Sequence, residues 1–278
     1  MANSDRIQGL RVSQAEIDQM IAAATVIRDC GSQLAAGDSD LVGEITAGNR
    51  TICSWRHYPD GEVYDPTSHA QYFFHTHAQD SRQVSERGHF HTFLRAEGMP
   101  SGVAPLLLPE LAVANAAALA PQAAPLKHGT RDEVSHLIAI AIDAGGAPLR
   151  LFTTNRWVTG ETWYRAEDVI KMLDHFVIAE SGPSAVLNRW IGAVVHLFRP
   201  QIAALLRARD DTVMAWRRRR RTQVFEDPRL EITSSLDIAL DTQLALVDGV
   251  RDRSGKNAFR PAPSLPPMAE GWEESFAG

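Results

Sequence analysis

Cysteine is nearly absent: Cys30 and Cys53 are the only two in 278 residues. One isolated pair cannot staple a small secreted scaffold, so both are expected as reduced thiols in a cytoplasmic protein. An excess of positive charge is also missing. Twenty-eight Lys and Arg against 34 Asp and Glu leave a net charge of −6, which argues against nucleic acid as a partner for the chain as a whole. No apolar run reaches the ~18–20 residues needed to cross a bilayer, and the alanine-rich stretch 112–124 is broken by Asn115 and Pro121. The opening MANSDRIQGLRVSQ has no basic segment followed by an apolar one, so no secretory signal and no membrane attachment are expected. A Gly-rich phosphate loop, a Gly-x-Ser-x-Gly elbow, a Cys-x-x-Cys pair and a His-Glu-x-x-His helix are all lacking, which removes several readable catalytic signatures.

Histidine, by contrast, is concentrated. Five of the ten histidines fall between His69 and Arg95, and four of them form two His-x-His pairs, His75/His77 and His89/His91. The flanking stretches YFFHTH and HFHTFL are aromatic and β-compatible, so both read as strands. Alternation then puts each pair on one face of its strand. An antiparallel register joining His77 to His89 also joins His75 to His91, because both index sums are 166. All four imidazoles would share one face, with opposite Cβ atoms ~4.5–5.5 Å apart. The intervening segment is too long for a tight turn to fix this register, and a one-residue slip would send the pairs to opposite faces. Imidazole is the commonest protein ligand for zinc and suits iron as well. The expected site is therefore a divalent metal, iron or zinc, held by His75, His77, His89 and His91, with haem ligation as a variant.

The same face carries Phe73, Phe93 and Arg95 by parity. Arg95 is the candidate for orienting an anionic substrate, and Glu86, expected in the loop with Asp80, is the candidate for proton transfer. His69, His57 and His136 are further candidates to join the site, each with an ordinary surface or core role as the competing reading.

Around this stretch the chain reads as follows. A helix covers 13–36, opened by the Ser13/Glu16 capping-box spacing. A strand at 51–58 is followed by a Pro59-Asp60-Gly61 turn and a short return strand at 62–64. The proline-rich stretch 99–128 holds one short helix at 109–119. A strand at 135–143 is apolar throughout and is expected to be buried on both faces, with a hairpin partner at 149–154. Residues 155–164 suggest a further short hairpin with its turn at Thr159-Gly160, a cluster of arginine, acid and aromatics that suits a pocket wall. Helices are expected at 165–179, at 184–198, at 201–219 after the break at Pro200, and at 235–250. The run Arg217 to Arg221 reads as a solvated helix end.

The expected fold is α+β: an antiparallel sheet, about residues 51–164, covered on one face by N-terminal and C-terminal helices. One domain would span 1–252, with 253–278 an extended or disordered tail. The leading functional expectation is a metal-dependent oxidoreductase or hydrolase acting on a small, possibly anionic, organic molecule, with the metal activating water or dioxygen or polarising the substrate.

Two other classes compete with it. His75-Thr-His77-Ala-Gln79 resembles the His-x-His-x-Gln core of nucleotidylyltransferases in the histidine-triad superfamily. That resemblance, over five residues, implies a metal-independent transferase with His77 as nucleophile. A non-enzymatic binding or regulatory protein would instead use the arginine run. A cupin would need a glutamate soon after His77, and the first one is Glu86.

Overall fold

The computed structural model describes residues 5–7, 10–46, 52–77, 86–108, 111, 133–179, 182–220 and 223–258. Strands β1 (Asp5–Ile7) and β2 (Leu10–Val12) pair antiparallel ahead of the first long helix. That helix, α1 (Gln14–Ala36), starts where the sequence signals it. Ser13 Oγ accepts from the Glu16 amide at 3.3 Å, and Glu16 Oε2 accepts from the Ser13 amide at 2.8 Å. The reciprocal bonds satisfy amides that a helix start leaves open. Ile17, Met20, Ala24 and Ile27 then form one buried stripe, as helical spacing requires. A short helix, α2 (Leu41–Thr46), follows.

Six strands form one sheet: β3 (Tyr58–Tyr64), β4 (Ala70–His75), β5 (Glu86–Arg95), β6 (Val134–Asp143), β7 (Pro148–Thr154) and β8 (Ile232–Asp237). They lie in sequence order, each antiparallel to its neighbour. Between β7 and β8 the chain forms α3 (Arg156–Thr159), α4 (Ala166–Met172), α5 (Ala185–Leu197) and α6 (Arg199–Arg220), and α7 (Leu240–Ala258) follows β8. The break expected at Pro200 falls between α5 and α6, with the proline in the first turn of α6. Its missing N–H leaves no helical bond unmade there.

Strand alternation divides the sheet's two faces. Tyr72, Phe74, Phe90, Leu94, Ile138, Ile140, Ile142 and Leu151 join the large core shared with the helices. Tyr72 also ties the sheet to α5, its hydroxyl donating to Asn188 Oδ1 at 2.5 Å. The opposite face holds Phe73, Phe93 and Val134 in one small cluster and Ala139, Ala141 and Phe152 in another. The histidines stand between these two clusters. Strand β6 is buried along nearly its whole length, as its unbroken apolar run predicts.

The structure departs from the sequence expectations at several places. Residues 52–57 are irregular, and the strand begins only at Tyr58, running through Pro59-Asp60-Gly61. A register shift between Tyr58 and Val63 absorbs those turn-forming residues, with Gly61 and Glu62 at φ +85° and +62°. The strand is at the sheet edge, where a proline and a bulge cost no ladder bond on the open side.

Residues 156–159 are helical rather than a hairpin arm, because Asn155 caps the helix start and Gly160, at φ +66°, ends it. The stretch expected to open the last helix is instead β8, so the sheet continues past residue 164 to Asp237. Its pairing with β7, and the hydroxyl contacts from Thr153 to Thr233 and Ser234 at 2.8 and 2.7 Å, override a leucine spacing that imitates a helix. The helix expected at 109–119 lies outside the described residues apart from Leu111, as do Asp80, Gln79, Arg221 and residues 259–278 of the expected tail; residues 253–258 of that tail instead continue helix α7 to Ala258. No helix among the described residues is long and apolar enough to cross a membrane.

Candidate metal centre

The β4–β5 ladder places His75 opposite His89 and Phe73 opposite His91. This register differs by two residues from the one expected. A shift of two preserves the face, so the imidazoles still converge. His75, His89 and His91 each offer a ring nitrogen within 4.8 Å of the others, and all three are buried. His75 Nε2 and His89 Nε2 are 2.7 Å apart, within hydrogen-bond distance. His77 lies just past the end of β4, with its ring 4.9 Å from that of His75 and 5.1 Å from that of His89. It stands beside the three on the more exposed side.

Two β-bulges, one near each end of the β5–β6 ladder, bring in partners that plain alternation would turn away. Between Thr92 and Phe93 the partner jumps from Ile138 to His136, leaving Leu137 unpaired. His136 is thereby turned to the histidine face, where its Nε2 lies 3.0 Å from His91 Nδ1. Between Glu86 and Gly88 the register shifts again, at Arg87. Glu86, expected in a loop, is instead the buried first residue of β5. Its Oε1 accepts from His89 Nδ1 at 2.8 Å, and its Oε2 accepts from Arg150 Nη2 at 2.6 Å. A carboxylate on Nδ1 fixes the His89 tautomer and leaves Nε2 as the lone pair that faces His75.

Space for the rings comes from β6. His89 pairs with Ala141 and His91 with Ala139, so the residues beside the imidazoles are methyl groups. The isoleucines between them face the helical core. The sequence carries this signal as the alternation Ile138-Ala139-Ile140-Ala141-Ile142, large toward one face and small toward the other.

The electrostatics favour neutral imidazoles. Burial pushes the pKa of His75 down to about 2, aided by its histidine neighbours His89, His77 and His57. Burial likewise holds His91 well below the ordinary range, with His89 and His136 adding to it. His136 is lowered to about 3, mainly by burial and then by the charge of Arg209. For Glu86, burial alone would raise the carboxyl, but hydrogen bonding and charge from His89 and Arg150 outweigh it and hold the group ionised. Buried, converging imidazoles, with His75 and His91 held neutral and the His89 tautomer fixed, are what a metal site demands of its ligands.

The remaining candidates are distributed differently. Arg95 is buried on the same face two positions beyond Phe93, and its Nε donates to Gln71 Oε1 at 2.7 Å. His69, at φ +60°, bonds the Tyr64 hydroxyl at 2.7 Å in the connection before β4. His57 does approach the cluster: it stacks on Phe73 with centroids 3.7 Å apart and lies 5.6 Å from His75. Sequence reasoning missed Arg150. Its only sequence signal is its alternate position in β7 with Phe152, whose ring it covers at 5.0 Å.

No curated protein and no solved structure matches the chain. A family model described as a domain of unknown function does match, over residues 21–238, a span that includes every residue of the cluster just described. By that match, across well over half its length, the chain belongs to the DUF6969 family.

Proposed function

We propose that the chain is a metal-dependent enzyme in which His75, His89 and His91 hold a divalent iron or zinc ion, with His77 beside them, and that it acts on a small anionic organic molecule. The observation that carries this reading is the convergence of three buried imidazoles, one of them oriented by a carboxylate. A bound cation there would act as a Lewis acid, polarising a substrate oxygen or activating water.

Charge supports the anionic substrate. Imidazoles that ligate a metal bring no charge, and the negative charge of Glu86 is already offset by Arg150. The dication's own charge therefore has no partner among the described residues. A buried charge without one is costly, so an anionic head group is favoured at the remaining coordination position. Glu86 serves to hold a proton on His89 Nδ1 and to orient the ring. The free cysteines, Cys30 buried and Cys53 exposed, suit a reducing, cytoplasmic setting.

Elemental analysis of untagged purified protein, beside a His89→Ala/His91→Ala variant whose circular dichroism shows it folded, tests the reading. Near-stoichiometric iron or zinc in the first and none in the second is expected. No metal in either protein, even after reconstitution, would overturn it.

A further inference from the structure

Trp55 stands at the solvent side of the histidine cluster under conditions that its packing does not account for. It is 64% exposed and belongs to none of the hydrophobic clusters of the described residues. Its backbone is in the left-handed region, at φ +68°, which is strained for a bulky residue bearing a Cβ. The conformation is nevertheless held. The Trp55 amide donates to the carbonyl of Thr76 at 2.8 Å, fastening the indole to the residue between His75 and His77. The ring centroid lies 4.3 Å from that of His77 and 6.4 Å from that of His75, both near perpendicular. The flat His57–Phe73 stack also borders His75, each ring 5.6 Å from it. Trp55 is 64% exposed where His75, His89 and His91 are 8%, 4% and 1% exposed, so the indole offers the cluster an open aromatic surface.

We infer that Trp55 is a subsite for the flat aromatic portion of an acidic substrate whose charged head reaches the histidine triad. The inference rests on the metal-centre reading above and adds the substrate class. A strained, exposed indole held in place beside the triad keeps a stacking surface open without burying it. Aromatic partners take up offset or edge-on contacts with such a surface at ring separations of ~4.5–7 Å. An organic cation would also suit an indole face, but a cation this close to a buried dication is repelled.

The test compares two probes that share one anionic chelating head, benzohydroxamate and acetohydroxamate, on the full chain loaded with metal. Benzohydroxamate is expected to bind about three- to tenfold tighter, within the range that an aromatic contact supplies. In Trp55→Ala that preference disappears while acetohydroxamate binds as before, and Trp55→Phe restores part of it. An equal preference in wild type and Trp55→Ala overturns the subsite.

In parallel, the indole ¹⁵N–¹H resonance of Trp55, assigned by its loss in Trp55→Phe, is followed during benzohydroxamate titration with and without metal. Should the protein hold no metal, the metal reading fails alone if this resonance still shifts. Both readings fail if it does not.

Discussion

The carboxylate of Glu86 lies between an imidazole and a guanidinium, and its two oxygens do different things. Oε1 fixes the proton on His89 Nδ1, and Oε2 neutralises Arg150. Glu86→Gln keeps the volume and one acceptor but removes the charge. The amide then no longer holds the His89 ring through a charge-assisted hydrogen bond, and Arg150 is left without its buried counter-charge. Loss of such an outer partner typically weakens metal affinity 10–100-fold. Competition with a chromophoric chelator should show a drop of that size in a variant that still binds about one ion. An unchanged affinity would mean that the carboxylate serves only the fold.

At the level of the strand, the approach of β4 and β5 depends on Gly88. A Cβ at this position would meet Phe74 Cζ at 2.5 Å and the carbonyl oxygen of His75 at 2.6 Å. The carbonyl belongs to the ladder and cannot swing aside, so Gly88→Ala must separate the strands where His75 faces His89. Overpacking of this kind costs about 1–3 kcal/mol. Urea unfolding should report that loss, and metal stoichiometry should fall as well, because the displaced carbonyl is that of His75, one of the proposed ligands. Wild-type stability with full metal content would show that the strands yield more easily than this contact implies.

The strands are also where the sequence was most and least readable. Two His-x-His pairs of matched parity told which face each imidazole takes, because a strand alternates regardless of its partners. The pairing partner was not readable, since the segment joining β4 to β5 is too long to set a register. The error was two residues, which moved His77 beyond the ladder but left the face intact. The bulges at Arg87 and Leu137 left no trace in the pattern, although they decide that Glu86 and His136 join the site. Strand β8 was lost for a related reason: Ile232–Asp237 has hydroxyls and two apolar residues that fit a helical stripe, and only its pairing with β7, about 80 residues earlier, makes it a strand.

For the whole molecule, two sets of buried groups impose opposite demands on pH. Histidines held neutral by burial contribute stability that is present above their unfolded pKa of ~6.5 and is lost as pH falls. Glu161 acts in the reverse sense. It is 1% exposed, and burial raises its pKa to about 7 against the opposing pull of Arg209 and of the His136 amide, which donates to it at 2.9 Å. An acid raised in the folded state retains a proton that the unfolded chain releases. Its contribution is therefore complete below the unfolded pKa and disappears as pH rises through the folded one. From the ordinary value of 4.5 to about 7, the cost in the folded protein grows to about 3 kcal/mol. Glu161→Gln keeps an acceptor for the His136 amide and removes the titration. Denaturant unfolding should show the variant within about 1 kcal/mol of wild type at pH 5 and about 3 kcal/mol more stable at pH 8. The same difference at both pH values would mean that Glu161 stays ionised in the folded protein, and that Arg209 and Arg156, the charges acting on it, offset its burial.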